Sequence, residues 1–192
     1  MLELFTKSRI RKKIILLLLY NPNKELYLSE IAKKVGTSPG TAQRELNRLL
    51  RIDFIRFKKK GNLSIYTLNK RYSLLKEVES IIKKTFGAEV ELKKELSSIP
   101  QIAFAFLFGS YVKGGFRSDS DIDLFVVGDV DENKVFNAVQ EVEAIIGREI
   151  NYHIASLNEF VKKLRANYFH REITEKVILL IGNEHEFKRL IK

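Results

Sequence analysis

Cysteine and tryptophan are absent from the 192 residues, and proline occurs only three times. Without Cys there is no disulfide framework, no thiolate zinc site and no Cys nucleophile. Long apolar runs are missing too. The longest, Ile14 to Tyr20, falls far short of the ~20 residues needed to span a bilayer. Its flanks carry no small-residue cleavage site, so it does not read as a signal peptide. There is no internal repeat and no low-complexity segment. The expectation is a soluble, cytoplasmic chain with no membrane partner, long enough to bury one large core or two small ones.

What the chain has in excess is positive charge, unevenly placed. The formal net charge is +10, from 34 Lys+Arg against 24 Asp+Glu. Residues 1–70 hold 16 Lys+Arg and 5 Asp+Glu, whereas residues 99–192 hold 12 and 14. An excess confined to one third of the chain points to a polyanion partner for that third, because phosphates release counterions when Lys and Arg neutralise them.

The patterning divides at the same place. Residues 3–20 put Ile10, Ile14, Leu17 and Leu18 at helical spacing. A second helix fits Ser29 to Val35, with Gly36 suited to a left-handed C-terminal turn. Ser38 can cap a third helix that runs from Pro39 to about Arg51 and buries Ala42, Leu46, Leu49 and Leu50. Phe54 to Lys60 and Leu63 to Leu68 then read as strands, with Gly61-Asn62 able to turn a hairpin. Between Leu75 and Ile99 the residues Leu75, Val78, Ile82, Leu92, Leu96 and Ile99 fall on an interrupted heptad. That stripe reads as a long connecting helix, either a dimer seam or a plain packing face. After Pro100 strand and helix alternate: strands at Ile102–Phe108, Asp121–Val127, Glu149–Ala155 and Val177–Ile181, and helices at Glu132–Ile146, Ser156–Ala166 and Glu184–Ile191. This predicts an α/β domain with a mixed sheet.

One stretch of that domain carries chemistry. The strand ending at Phe108 runs into Gly109-Ser110, ten residues follow, and the next strand opens with Asp121-Ile122-Asp123. Residues i and i+2 of a strand share a face, so the two carboxylates project side by side while Ile122 and Leu124 turn to the core. Two such carboxylates repel each other, and a divalent cation relieves the repulsion. Paired oxygen ligands are what Mg²⁺ uses when substrate phosphates complete its shell. Gly109 permits close backbone approach, and Ser110 at a helix start offers donors to phosphate.

Gly109, Ser110, Gly114, Ser120, Asp121, Asp123 and Leu124 resemble the signature of polymerase-beta-like nucleotidyltransferases, in particular the minimal ones. The resemblance implies Mg²⁺ or Mn²⁺ on Asp121 and Asp123, and NTP phosphates on Gly109 and Ser110, with Ser120 as a further nucleotide contact; Lys113, in the loop after Gly-Ser, is a candidate to meet phosphates or solvent. The family usually draws a third carboxylate from a later strand, where it completes the metal site and serves as general base. Here that strand reads Arg148-Glu149-Ile150-Asn151-Tyr152-His153-Ile154, and burying Ile150, Tyr152 and Ile154 turns Glu149, Asn151 and His153 toward the site. Asn151 stands where Asp is expected and cannot take a proton, which leaves Glu149 or His153 one step along. By this reading, nucleotide binding is better supported than transfer.

Residues 28–68 resemble winged helix-turn-helix regulators through Leu28-Ser29-Glu30-Ile31-Ala32, Gly36 and the helix beyond Ser38. The resemblance implies duplex DNA as partner, with Thr41, Gln43, Arg44, Asn47 and Arg48 facing the major groove and Lys58, Lys59 and Lys60 at the wing tip.

The resulting expectation is an α+β chain of two domains. A winged helix-turn-helix at 1–70 is joined by a long helix at 71–99 to a nucleotidyltransferase domain at 100–192. Two functions follow from it. The first is a DNA-binding transcriptional regulator with a Mg-nucleotide-binding domain. The second is an active nucleotidyltransferase that moves a nucleoside monophosphate from NTP to a protein or small-molecule acceptor, with a toxin–antitoxin setting by analogy. A homodimer through the heptad accompanies the first.

Overall fold

A computed structural model describes residues 8–114, 121–166 and 173–191. The chain separates into two compact units, residues 1–87 with 144–148 and residues 88–143 with 149–192.

The first unit begins with α1 (Arg9–Tyr20), capped by the Ser8 hydroxyl, which accepts from the Arg11 N–H. Every residue from Ile14 to Tyr20 is at most 2% exposed, so the longest apolar run is core. A two-residue strand β1 (Leu26–Tyr27) leads directly into α2 (Leu28–Val35). Gly36 ends α2 at φ +70, the left-handed geometry that glycine adopts without a steric penalty. The Ser38 hydroxyl accepts from the Thr41 N–H at 3.3 Å and Pro39 occupies the first turn, so α3 (Pro39–Arg51) starts where the sequence places it. Ala42, Leu46 and Leu49 are fully buried beneath it, whereas Leu50 is only half-buried, short of the sequence expectation. β2 (Ile55–Lys60) and β3 (Leu63–Leu68) form an antiparallel hairpin in register from Ile55↔Leu68 to Lys60↔Leu63. β1 pairs with the other side of β3, which gives the order β1-β3-β2. No sequence signal marked β1, because two residues cannot display a period.

Glu45 is a buried acidic group of this unit. Its carboxylate receives the Arg11 Nε at 2.6 Å and the Arg48 Nη1 at 3.0 Å. Arg11 is itself buried. Glu45→Ala therefore removes the carboxylate shared by two guanidiniums, at an expected cost of about 3 kcal/mol. Urea unfolding checks this. A loss below about 1 kcal/mol would show that solvent takes over the role of the carboxylate.

The long connecting helix expected at 71–99 is not what the chain forms. α4 (Leu75–Thr85) ends where Phe86 leaves helical geometry at φ −159, and after Gly87 a separate helix α5 (Ala88–Leu96) begins. Gly87 carries the highest helix cost of any residue but proline, and the chain breaks beside it. Leu75, Val78 and Ile82 are buried in the first unit, and Leu92, Leu96 and Ile99 in the second. The heptad stripe is thus used inside the monomer, and it offers no free seam for the homodimer expected there.

The second unit holds α5, β4 (Ile102–Phe108), α6 (Gly109–Gly114), β5 (Ile122–Gly128), most of α7 (Glu132–Ile146), β6 (Ile150–Ala155), α8 (Leu157–Ala166), β7 (Ile178–Ile181) and α9 (Glu184–Leu190). The strands form one sheet in the order β6-β5-β4-β7. β5 runs antiparallel to β4 and parallel to β6, and β7 runs antiparallel to β4, so the sheet is mixed as expected. β4 is covered on both faces. Ala105 and Leu107 are fully buried on one side, while Phe104, Phe106 and Phe108 join Phe125, Phe160 and Phe187 in an aromatic core on the other. The Phe106 and Phe125 rings stack at 5.5 Å with 3° between planes. This packing fixes the ends of β4 and β5 relative to each other, and the site is built at those ends. Tyr152 and Ile154 are only half-buried, contrary to expectation, because β6 is an edge strand.

Among the described residues no helix is long and apolar enough to cross a membrane.

Candidate active site

The register Phe108↔Asp123 places the exit of β4 against the entrance of β5. Gly109 then turns the chain into α6 at φ +74. A Cβ built on Gly109 would lie 2.3 Å from the Asp123 Oδ2, so only glycine lets the backbone sit against this carboxylate. The parallel pairing of β5 with β6 sets Asp123 beside Asn151, and the Asn151 Nδ2 donates to the Asp121 Oδ2 at 3.1 Å. The site therefore contains Asp121, Asp123 and, at the third place, an amide. Asn151 orients Asp121, and it adds no negative charge.

Asp123 is half-buried and its pKa lies above the ordinary carboxylate value. Burial is the main cause, the neighbouring Asp121 adds to it, and His153 works in the opposite direction. Two oxygen donors whose ionised forms disfavour each other fit a hard divalent cation. Among the described residues no group of three His, Cys, Asp or Glu assembles a fuller metal site. Remaining ligands would come from substrate and water.

Beside the two elements lies an open cavity of about 300 Å³, lined by Phe108, Gly109, Lys113, Asp123, His153, Ile173 and Lys176. The His153 ring sits 5.9 Å from Phe125 and 6.3 Å from Phe108, tilted against both. Ser110 is exposed at the first turn of α6, and Lys113 closes that helix facing the cavity. Glu149 is exposed at the start of β6 and does not line the cavity; its backbone carbonyl accepts from the Ile122 N–H at 3.0 Å. Ser120 lies outside the described residues. Lys176 and Ile173 were not foreseen. They follow a stretch with no motif, and only the fold returns them to the end of β4.

The residues expected to meet DNA all belong to the first unit. Gln43, Arg44, Asn47 and Arg48 are exposed on α3, and Thr41 is half-buried. The Thr41 hydroxyl accepts from the Arg44 Nη2 at 3.1 Å, and Arg48 is engaged by Glu45. Lys58, Lys59 and Lys60 are exposed at the tip of the β2–β3 hairpin.

With a mixed sheet, a Gly-Ser turn and the acidic pair in place, the class is that of a nucleotidyltransferase. The chain belongs to the polymerase beta nucleotidyltransferase family, whose profile matches residues 90–186. A candidate protein adenylyltransferase of Methanocaldococcus jannaschii is 39% identical over 70 residues, which is 36% of this chain and 69% of that protein. Among solved structures, a toxin–antitoxin complex with AMP-PNP is similar at 20% identity and a TM-score of 0.40, over 54% of this chain and 80% of the other. The tri-AMPylated Shewanella oneidensis HEPN toxin in complex with MNT antitoxin is similar at 18% identity and a TM-score of 0.37, over 54% and 77%.

Proposed function

We propose that the second unit transfers a nucleoside monophosphate, AMP first among the candidates, from an NTP to a protein acceptor. The observation that carries this reading is the close approach of Gly109 to Asp123, with Asp121 held by Asn151 alongside. The relative from M. jannaschii supports the choice of AMP and of a protein. Transfer thereby becomes the leading function, ahead of the regulator that charge and helix pattern put first.

In this reading Gly109 and Ser110 hold the phosphates of the nucleotide, and Asp121 and Asp123 hold Mg²⁺ or Mn²⁺. When bound, the ion supplies positive charge to the phosphate oxygens as negative charge develops on them. An acceptor hydroxyl oxygen bonds to the α-phosphorus in line as the bond to the bridging oxygen breaks. Pyrophosphate leaves with that electron pair. Asn151 cannot accept the hydroxyl proton. Of the other two β6 side chains considered, His153 lines the cavity and Glu149 does not, which favours His153 as the group that takes it in this reading. The test is incubation with α-labelled ATP, Mg²⁺ and cell extract. Label that is removed by protease and by phosphodiesterase supports the reading, and label confined to small molecules overturns the protein acceptor.

Asn151→Asp restores the third carboxylate at the cost of setting it against Asp121. Metal-dependent ATP affinity is expected to rise by about tenfold, because a charged ligand replaces an amide. Calorimetry with Mg²⁺ checks this, and unchanged affinity would show that the third place does not reach the ion.

A second reading concerns residues 1–87 of the first unit, which the family match at 90–186 does not reach. The exposed Gln43, Arg44 and Asn47 on α3 and the three lysines at the hairpin tip favour duplex DNA as its ligand. Replacing Lys58, Lys59 and Lys60 by Ala should weaken binding to every sequence. It should also flatten the salt dependence by about three in log K against log salt. Fluorescence anisotropy across a salt series measures both, and an unchanged slope would remove the hairpin contact.

A further inference from the structure

The cavity beside Asp123 is lined by groups of opposite charge. Asp123 and Gly109 belong to the site already assigned, and Lys113 and Lys176 come from separate elements, the end of α6 and the segment before β7. Both lysines are exposed at the cavity rim. An NTP in this site brings a triphosphate next to two carboxylates. A single divalent cation leaves several of those negative charges uncompensated, so the cavity needs further cations. Among the described residues, Lys113 and Lys176 are the two lysines lining it.

We infer that Lys113 and Lys176 hold the two phosphates that the NTP releases as pyrophosphate. The inference rests on the nucleotidyltransferase reading and adds to it which residues receive the leaving group. Lys is suited to this task. Its ammonium is a compact charge on a flexible stem, so two lysines from different elements converge on one polyphosphate and release it after the bond breaks. Each contact is a charge-assisted hydrogen bond to phosphate, made by a nucleoside triphosphate and not by a monophosphate.

The experiment is calorimetric titration of the full chain with ATP and with AMP in Mg²⁺. The variants are Lys176→Ala, Lys113→Ala and Lys176→Arg. Lys162→Ala, an exposed change on α8 away from the cavity, controls for net charge. Lys176→Ala and Lys113→Ala should each weaken ATP about tenfold and leave AMP within about twofold, with Lys176→Arg close to the parent. ATP affinity that matches the parent in both Ala variants, while Asp123→Asn loses ATP, overturns the inference and leaves the site standing. Equal losses for ATP and AMP also overturn it, since they show a structural role. If Asp123→Asn binds ATP as the parent does, the nucleotidyltransferase reading fails as well.

Discussion

Asp123→Asn is expected to lower nucleotidyl transfer by about 10²–10³-fold, the scale seen when one preorganised electrostatic contact is removed from a transition state. The same change should raise the thermal midpoint of the nucleotide-free protein at pH 7. Asp123 has a pKa raised by burial and by Asp121. A carboxyl with a raised folded-state pKa holds its proton more tightly folded than unfolded. Its ionised form therefore costs stability at every pH above the raised value. That cost fades as pH falls through the raised value, and it is gone below the ordinary 3.8. Asn has nearly the same shape and no charge, so its advantage is largest at neutral pH and vanishes in acid. Thermal melts at pH 7 and pH 4, with and without Mg²⁺-ATP, measure this. A variant that loses turnover and stability together at pH 7 would show Asp123 to be a structural residue.

The second large effect is expected at Gly109. Alanine there adds a Cβ that meets the Asp123 Oδ2 at 2.3 Å, on a backbone held at φ +74. Left-handed backbone costs a non-glycine residue about 1–2 kcal/mol. The collision adds to that by pushing the carboxylate out of place, and even a small displacement at a reacting centre costs about 10²-fold in rate. Gly109→Ala should thus fold with reduced stability and transfer at a rate close to that of Asp123→Asn. Ser110→Ala, which leaves the backbone unstrained, should lose far less. If Gly109→Ala retains most of the activity, the close approach of turn and carboxylate is not what the chemistry uses.

Much of this arrangement was legible because its causes are local. Ser38 and Pro39 mark the start of α3, and the run Ile102–Phe108 is a strand by composition alone. Asp121, one residue before β5, and Asp123 stand two residues apart, the spacing that sets side chains side by side in extended chain, and the need for glycine at 109 follows from the motif. What could not be read depends on pairings across the chain. The partner that makes Gly109 obligatory is set by the register of β4 on β5. Asn151 was placed at the third position from the sequence, but its hydrogen bond to Asp121 needed the parallel pairing of β5 with β6. Lys176 has no local signature and reaches the cavity only through the fold. The heptad from Leu75 to Ile99 misled because a 3.5-residue stripe says that a face is buried and not by what. Gly87 divides it into two helices, one in each unit, and the stripe residues of both halves are buried.

Transfer of a nucleoside monophosphate at the Gly109–Asp123 site is tested most directly by following the two ends of one nucleotide. The chain is incubated with Mg²⁺ and cell extract in parallel with α-labelled and γ-labelled ATP, and Asp123→Asn is run beside it. Nucleotidyl transfer predicts acceptor labelled only from the α position, γ label recovered as pyrophosphate, and neither product with Asp123→Asn. Acceptor labelled from the γ position, or α label transferred equally well by Asp123→Asn, would contradict it.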